Sequence, residues 1–393
     1  MHTHINKMAP WPFFEEDEIK AVQKVLSSGL VNYKTGNEGA LFEKEYAAAF
    51  DSQYAIAVTN GTAALELALL AIGVGKGDEV IVPARTFIAT ASAVVKCQAT
   101  PIVADIECKS QNMSLKTIEK LITPRTKAVI PVHLAGWPVD LDPIIEIARK
   151  KDLYVIEDCA QAHGAQYNNQ PTGSLGDIGC FSFCQDKIIS TGGEGGMITT
   201  SNPDLYKRMW SLRDHGLGYE KANNIKPGIG FKWLVDSFAT NLRMTEMQSA
   251  IGRIQLRKLT KWVAIRQKNA LEFTSAIRDL PIWTEVCPPE NYVHSYYKYN
   301  ILLNQKALST KWTRNRIIEE LSKKGIQSRV GACPDIANEA AFQNSKIDIT
   351  NPRPNAAKIA DFTLMLPVHP TLTKSNMSYI ADNLRNILKL ASK

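Results

Sequence analysis

Hydrophobic and polar positions alternate in blocks along the first 200 residues, and the blocks predict a layered α/β fold. Apolar runs rich in β-branched residues, with turn residues at their ends, predict strands at 54–59, 79–83, 101–105, 128–133, 154–158, 178–183 and 197–200. Segments with helical spacing lie between the first five strands, at 63–72, 88–96, 115–122 and 143–150. Because the strands are apolar at successive positions, we expect a mostly parallel seven-stranded sheet covered by helices.

The pattern differs before and after this alternating region. Two amphipathic helices are predicted at 12–29 and 40–50. The segments after residue 202 predict a helix, a polar loop, one long helix and then a mixture, at 203–212 (helix), 215–231 (loop), 245–277 (helix), 296–303 (strand), 311–324 (helix), 326–330 (strand) and 375–390 (helix). We therefore predict a large α/β domain at 1–250 and a smaller α+β domain at 251–393.

Composition excludes several classes of protein. The 393 residues are 45% hydrophobic and 22% charged, with a net charge of +7, which is typical of a soluble globular protein. The sequence contains no apolar run of about 20 residues and no basic-aromatic stripe, so we expect neither a membrane span nor a nucleic-acid partner. The seven cysteines include no Cys-x-x-Cys pair and the histidines no metal-ligand spacing, which favours free thiols in the cytoplasm and no metal site.

The stretch 177–200, DIGCFSFCQDKIISTGGEGGMITT, carries the main candidate for chemistry. Lys187 follows an apolar strand, where an ammonium group can lose part of its hydration, as a Schiff-base lysine requires. The glycines at 192–196 allow the backbone to pass close to a bulky neighbour. A lone lysine in such a place is more often a surface residue, so the interpretation depends on the other strand ends.

Polar and aromatic residues follow three other predicted strands at the edge where ligands bind in α/β sheets. Asn60-Gly61-Thr62 opens a helix and is suited to phosphate, Phe87 could stack on a planar ring, and Asp158 could pair with a protonated pyridine nitrogen. Plainer alternatives stay open for each: a helix cap, a core aromatic and a second cap. Together with Lys187, the set matches what a pyridoxal-phosphate (PLP) enzyme needs.

With these residues in view, the chain resembles the DegT/DnrJ/EryC1/StrS sugar aminotransferases, of the fold-type I aspartate-aminotransferase superfamily. The resemblance runs from residue 9 to the end. It rests on six stretches: NGTAALELAL (60–69), PARTFIATASAV (83–94), VIEDCAQAHGA (155–165), FSFCQDKIISTGGEGG (181–196), RDHG (213–216) and NLRMTEMQSAIGRIQL (241–256).

The resemblance implies a role for each matching residue. Lys187 would form the Schiff base with PLP and move the proton, and Asp158 would keep the pyridine nitrogen protonated. The remaining contacts implied are stacking by Phe87, a contact from Gln161 to the phenolic oxygen, and phosphate binding by Gly61, Thr62, Ser182 and Asn241. Asn241 would come from the partner subunit, which implies a homodimer with shared active sites.

The implied substrates are L-glutamate and a nucleotide-linked keto-deoxysugar used for surface polysaccharide or glycoconjugates. The stretch 241–256 is similar to that of enzymes acting at C4, which favours a 4-keto-6-deoxyhexose over amination at C3. Candidate substrate contacts are Arg85, His163, Arg213, His215 and Arg329. Two departures from the family pattern are Ile188, where many members have Asn, and the segment 329–342, which lacks a His-Tyr pair.

Three other functions fit the sequence less well. A sugar dehydratase on the same scaffold has a histidine in place of the Schiff-base lysine, and Lys187 argues against it. A catalytically silent regulator would not need the full set of cofactor residues. A Rossmann dehydrogenase is excluded because Gly73, Gly75 and Gly77 precede a strand instead of following one.

Overall fold

The structure, a computed structural model, describes residues 8–224, 229–284 and 287–393. Within these ranges the strands are β1 Tyr54–Val58, β2 Glu79–Pro83, β3 Thr100–Ala104, β4 Thr126–Val129, β5 Tyr154–Asp158, β6 Gln166–Tyr167, β7 Gln170–Pro171, β8 Ile178–Ser182, β9 Gly196–Thr200, β10 Trp283–Thr284, β11 Tyr292–Val293, β12 Tyr299–Leu303 and β13 Thr363–Leu366. The α-helices are α1 Glu16–Ser28, α2 Glu38–Ala49, α3 Gly61–Ala71, α4 Ala89–Lys96, α5 Leu115–Ile118, α6 Asp142–Lys150, α7 Pro203–Arg213, α8 Tyr219–Asn223, α9 Glu246–Ile277, α10 Arg314–Lys323, α11 Ala340–Gln343, α12 Pro354–Ile359 and α13 Lys374–Ala391.

The main sheet has seven strands in the order β1-β9-β8-β5-β4-β2-β3. The pairs β5–β8, β4–β5, β2–β4 and β2–β3 are parallel, and β9 is antiparallel to both of its neighbours. Every residue of β2, β8 and β9 is buried, as continuous apolar runs require when helices cover both faces. The predicted fold-type I architecture with a mostly parallel sheet is confirmed.

Helix α9 connects the main sheet to a second core. It begins at a capping box in which Thr245 accepts from the amide of Gln248, and it runs for 32 residues. Near its C-terminal end, Phe273 and Ile277 pack in a cluster with apolar residues of β12, β13 and α13. The predicted domain boundary at residues 250 and 251 falls in the first turns of this helix, and it stays a prediction.

The second core contains a small antiparallel sheet in the order β10-β12-β13. The predicted strand at 326–330 is wrong, because this segment makes only one bridge, from Arg329 to Met365 of β13. Gly325 and Gly331 flank it with φ of +71° and +95°, so the chain turns at both ends and leaves no length for a ladder. The four-residue strand β13 was not predicted.

No helix in the described parts of the chain is long and apolar enough to cross a membrane.

Candidate active site

A cavity of about 810 Å³ lies at the carboxyl edge of the main sheet and is closed on one side by β12 and β13. Parallel strands bring the loops that follow them to this one edge, which is why residues far apart in sequence meet here. The cavity is lined by seven of the predicted cofactor contacts: Gly61, Thr62, Phe87, Asp158, Gln161, Ser182 and Lys187.

The N-terminus of α3 forms a cradle at one end of the cavity. The Asn60 side chain caps the helix by accepting from the amide of Ala63 at 2.8 Å, and the amides of Gly61 and Thr62 at the helix terminus remain available to an anion. A Cβ on Gly61 would lie 2.6 Å from the Ser182 Cβ. Only glycine at this position lets α3 approach the end of β8 closely enough to place Ser182 beside the helix terminus.

Asp158 is a buried carboxylate at the end of β5 that lines the cavity. Its two oxygens accept from the Thr90 hydroxyl at 3.0 Å and the Ala160 amide at 3.1 Å. Burial raises the pKa of Asp158, against the lowering effect of these hydrogen bonds. No ion pair to Asp158 is formed within the described residues. A protonated pyridine nitrogen in the cavity would supply the missing cation.

The residue before Asp158 holds this strand end in place. Glu157 is fully buried, and its carboxylate accepts from the amides of Gly173, Leu175 and Gly176 and contacts His133 Nε2 at 3.0 Å. The His133 Nδ1 accepts from the Val139 amide, so the ring proton lies on Nε2 and is donated to Glu157. The backbone of His133 also donates to the Asp158 carbonyl.

Lys187 lies in the loop between β8 and β9, and its side chain is 16% exposed. Its Nζ is 3.9 Å from Asp186 Oδ1 and 4.8 Å from the centroid of the Tyr297 ring. The Trp11 indole donates to the Lys187 carbonyl at 2.8 Å, which fixes the backbone from which the ammonium extends. The Tyr297 hydroxyl donates to Asp186.

The glycine-rich turn after Lys187 packs closely against the N-terminus of α3. Gly195 has φ of +159°, and a Cβ on Gly196 would lie 2.5 Å from the Asn60 carbonyl oxygen. The two loops could not approach this closely with side chains at these positions.

Phe87 and Gln161 complete the wall of the cavity. Phe87 is 68% exposed, which leaves its ring free to cover a planar ligand. The Gln161 Oε1 accepts from the Ala135 amide at 2.8 Å, so its amide nitrogen is left to donate into the cavity.

Three of the residues predicted to contact substrate lie in the interior and do not line this cavity. Arg85 donates to Gln111 and to Thr363 of β13, both at 2.7 Å, and burial lowers its pKa to about 10. Arg213 donates to Glu43 at 2.6 Å and is fully buried. His163 is buried between the rings of Phe181 and Phe183, and burial lowers its pKa to about 3.

The remaining three predicted residues, His215, Arg329 and Asn241, are exposed and also lie outside the cavity wall. Asn241 forms a bridge to Asp214 at the edge of a loop with five exposed apolar side chains: Ile229, Phe231, Trp233, Val235 and Phe238. Asn241 itself does not line the cavity, although the next residue, Leu242, does.

The two departures from the family pattern occupy different places. Ile188 is fully buried in the core beneath the loop. Within the segment 329–342, Gly331, Ala332 and Cys333 line the cavity, and the chain then forms a short 3₁₀ helix at Ile336–Asn338.

The sequence analysis missed several residues of the cavity, among them Thr90, Tyr297 and Asn300. Thr90 lies one helical turn after Thr86, and the two hydroxyls are 2.9 Å apart, a spacing that could have suggested a polar pair. Tyr297 lies just before β12, and Asn300 is the second residue of this strand. Only the packing of the small sheet brings them to the cavity that Lys187 also lines.

The residues that line this cavity fit PLP, and the structure shows this without reference to any related protein. A buried carboxylate without a cation, a helix terminus opened by a required glycine, an uncovered aromatic ring and a lysine face one cavity. They match the ring nitrogen, the phosphate, the ring face and the aldehyde of that cofactor.

Comparison with known proteins gives matches over most of the chain. The profile of the DegT/DnrJ/EryC1/StrS aminotransferase family matches residues 12–385. A GDP-perosamine synthase of Caulobacter vibrioides is 43% identical over 291 residues, 73% of this chain and 74% of that protein. A UDP-N-acetyl-3-dehydro-alpha-D-glucosamine 3-aminotransferase of Acidithiobacillus ferrooxidans is 35% identical over 373 residues, 95% of this chain and 94% of that protein.

A solved structure extends the match to three dimensions. The X-ray structure of an aminotransferase from Psychrobacter cryohalolentis has a TM-score of 0.95 and 42% sequence identity, and the match covers 98% of this chain and 99% of that one.

Proposed function

The chain belongs to the DegT/DnrJ/EryC1/StrS aminotransferase family, and on that basis we propose that it transfers the amino group of L-glutamate to C4 of a nucleotide-linked 4-keto-6-deoxyhexose. The general class is not in question: the chain is a PLP-dependent sugar-nucleotide aminotransferase. The observation that carries the proposal is the single cavity shared by Lys187, Asp158 and the α3 terminus, which extends to the small sheet and leaves room for a second, bulky substrate.

When bound, PLP supplies an electron sink for the bond that breaks at the amino-bearing carbon. Lys187 would hold the cofactor, and its amine would take up and return the proton at the substrate carbon. Asp158 keeps a positive charge on the ring nitrogen, because a buried carboxylate without a partner favours a cation next to it. The Asp158 carboxylate is in place before substrate arrives, so it would need no rearrangement at the moment of reaction.

The other predicted contacts hold and orient the cofactor. Gly61, Thr62 and Ser182 bind the phosphate at the helix terminus. Phe87 covers the face of the ring, and the free amide nitrogen of Gln161 donates to the phenolic oxygen.

The choice of C4 rests on the stretch 241–256. Its Asn-x-Arg-Met-Thr pattern is similar to that of C4 enzymes. The product would serve surface polysaccharide, such as O-antigen or capsule, or glycoconjugate synthesis in the cytoplasm.

We also propose a homodimer in which Asn241 of one subunit reaches the phosphate held by the other. Support comes from the exposed apolar side chains that precede Asn241, of which Phe231, Trp233 and Phe238 are at least 79% exposed. An exposed apolar surface of this kind is typical of a contact with another chain.

A substrate panel tests the proposal. The holoenzyme is converted to its amino form with glutamate, freed of excess donor, and offered dTDP-, GDP- and UDP-linked 4-keto-6-deoxy sugars beside a 3-keto sugar. We expect the visible absorption of the PLP form to return with a 4-keto sugar nucleotide. Its return only with the 3-keto compound, or only with a ketone that lacks a nucleotide, would contradict the C4 assignment.

A further inference from the structure

The side of the small sheet that faces the cavity carries a row of residues without an assigned role. Asn300 of β12 lies opposite Met365 of β13, and Met365 lies opposite Arg329. Residues directly opposite in antiparallel strands project from the same face. Asn300 and Met365 line the cavity, and Arg329 is the next residue of this row, exposed and outside the cavity wall.

Asn300 has a polar atom that is not satisfied by the protein. Its Oδ1 is buried and has no hydrogen-bond partner within the described residues. A buried amide oxygen without a partner is costly, and native structures usually supply a partner from water or a ligand. Since the side chain lines the cavity, the missing partner is most simply a group of the substrate or a water bound with it.

Lys298, two residues before Asn300, is a second cation near Lys187. Its Nζ is 4.8 Å from the centroid of the Tyr297 ring, the same ring that lies 4.8 Å from Lys187 Nζ, so the two ammonium groups are at most 9.6 Å apart. The side chain is half-buried, and within the described residues it forms no hydrogen bond or ion pair.

The charges around Lys298 do not balance. Burial lowers its pKa to about 8; Asp186 opposes this shift, while the cations Arg266, Lys187 and Arg329 add to it. Asp186 already accepts from the Tyr297 hydroxyl and lies 3.9 Å from Lys187 Nζ. Lys187 and Lys298 therefore lie on the same ring beside a carboxylate that is already engaged, and this arrangement of positive charge favours an anion.

We propose that Lys298 and Asn300, with Arg329 at the rim, form an oxyanion subsite that binds a charged group of the substrate during amino transfer. The inference rests on the proposed function, because it places that anion within one substrate length of Lys187. Two groups share this chemistry: a carboxylate of the amino donor, and the diphosphate of the sugar nucleotide. Asn300 contributes through its amide nitrogen to the anion, and its buried oxygen accepts from a hydroxyl or water next to it.

The test uses the holoenzyme and measures the two half-reactions separately. The variants are Lys298→Met, which removes the charge and keeps the aliphatic length, Lys298→Arg, which keeps the charge, and Lys311→Met, an exposed lysine of the same domain, as control. We expect Lys298→Met to lower kcat/KM of one half-reaction by about 10- to 100-fold, the scale of one charge-assisted hydrogen bond. Lys298→Arg should recover part of the loss, and Lys311→Met should have no effect.

The half-reaction affected identifies the anion. A selective loss with glutamate assigns the subsite to a donor carboxylate, and a selective loss with the sugar nucleotide assigns it to the diphosphate. A change below about twofold in both half-reactions, an equal loss in both, or the same loss in Lys311→Met would overturn the proposal. These outcomes are separable from failure of the proposed function, in which the unmodified enzyme itself fails to aminate any sugar nucleotide.

A measurement without turnover adds a second readout. Thermal stabilisation of the holoenzyme by glutarate or by a nucleoside diphosphate should be smaller in Lys298→Met than in the unmodified protein for one of the two anions. Equal stabilisation by both anions in both proteins would also overturn the subsite.

Discussion

Asp158→Asn should change the stability of the protein in opposite directions with and without PLP. The substitution keeps the size of the side chain and removes its charge. The new amide oxygen can still accept from the Ala160 amide, and the new amide nitrogen can donate to the Thr90 oxygen, whose hydroxyl can turn toward Thr86. The geometry is therefore retained, and the change tests the charge alone.

The magnitude follows from the surroundings of the carboxylate. Asp158 is 6% exposed, and burying an ionised carboxylate costs several kcal/mol. Its two hydrogen bonds offset about 1.5–3 kcal/mol each, which leaves a cost of about 1–2 kcal/mol in the cofactor-free protein. Asp158→Asn should remove this cost and raise the Tm of the cofactor-free protein by about 1–2 °C, because a chain of 393 residues unfolds with an entropy of about 2.1 cal/mol/K per residue.

The pH dependence has a defined sign. Because burial raises the pKa of Asp158 in the folded state, the folded protein holds this proton at higher pH than the unfolded chain does. The cost is fully present above the folded-state pKa and disappears as the pH falls below the ordinary value of an aspartate. The stability difference between Asp158→Asn and the unmodified protein should therefore shrink on acidification.

PLP should reverse the order of stability. In the holoenzyme the carboxylate gains a cationic partner, which the amide cannot replace. If the substitution weakens cofactor binding about 100-fold, the stabilisation by PLP falls by about 2.7 kcal/mol. Turnover should fall at least about 100-fold as well, because one electrostatic stabiliser is lost.

Calorimetry of both proteins, with and without PLP and between pH 5 and 8, measures these effects. Asp335→Asn is the matched control, since the Asp335 carboxylate lies 2.7 Å from Arg353 and should lose stability equally with and without PLP. If Asp158→Asn is less stable than the unmodified protein in both states, or turns over normally, the role given to the Asp158 charge is refuted.

Three further predictions concern the lysine, the glycine and the subunit contact. Borohydride reduction followed by peptide mapping should mark Lys187, and Lys187→Ala should abolish the covalent link while keeping the fold; a mark on another lysine would contradict the assignment. Gly61→Ala should weaken PLP binding by tenfold or more, because its Cβ would lie 2.6 Å from the Ser182 Cβ; unchanged binding in a spectroscopic titration would refute this. Mixing Lys187→Ala with Asn241→Ala should restore about a quarter of the sites in a statistical dimer, and no recovery after confirmed subunit exchange would place Asn241 in its own subunit's site.

The elements of the main sheet could be predicted because burial on both faces leaves a simple signature. The strands differ from their predicted bounds by a few residues at most, and β2 and β5 match. The same regularity located Asp158, Ser182 and Lys187, since each follows or ends an apolar run at the edge where ligands bind. Sequence alone was sufficient for this half of the cavity.

The other half depends on contacts between distant segments. Arg85 stands beside Phe87 in sequence, yet its guanidinium turns inward to Thr363, 278 residues away. No local pattern distinguishes that arrangement from an arginine facing substrate, so its predicted substrate role has no support from the geometry. Lys298 and Asn300 are the opposite case, because the sequence analysis did not select them. Only the pairing of β12 with β13 brings this part of the chain to the cavity.

The position of the transferred nitrogen shows directly which sugar carbon the enzyme aminates. The holoenzyme is supplied with ¹⁵N-labelled L-glutamate and a nucleotide-linked 4-keto-6-deoxyhexose, and the product is examined by ¹H–¹⁵N correlation NMR. We expect the label in an amino group on C4 of the hexose, with one 2-oxoglutarate formed for each amine. A label on C3, or no label in any sugar nucleotide while Lys187 carries PLP, would contradict this expectation.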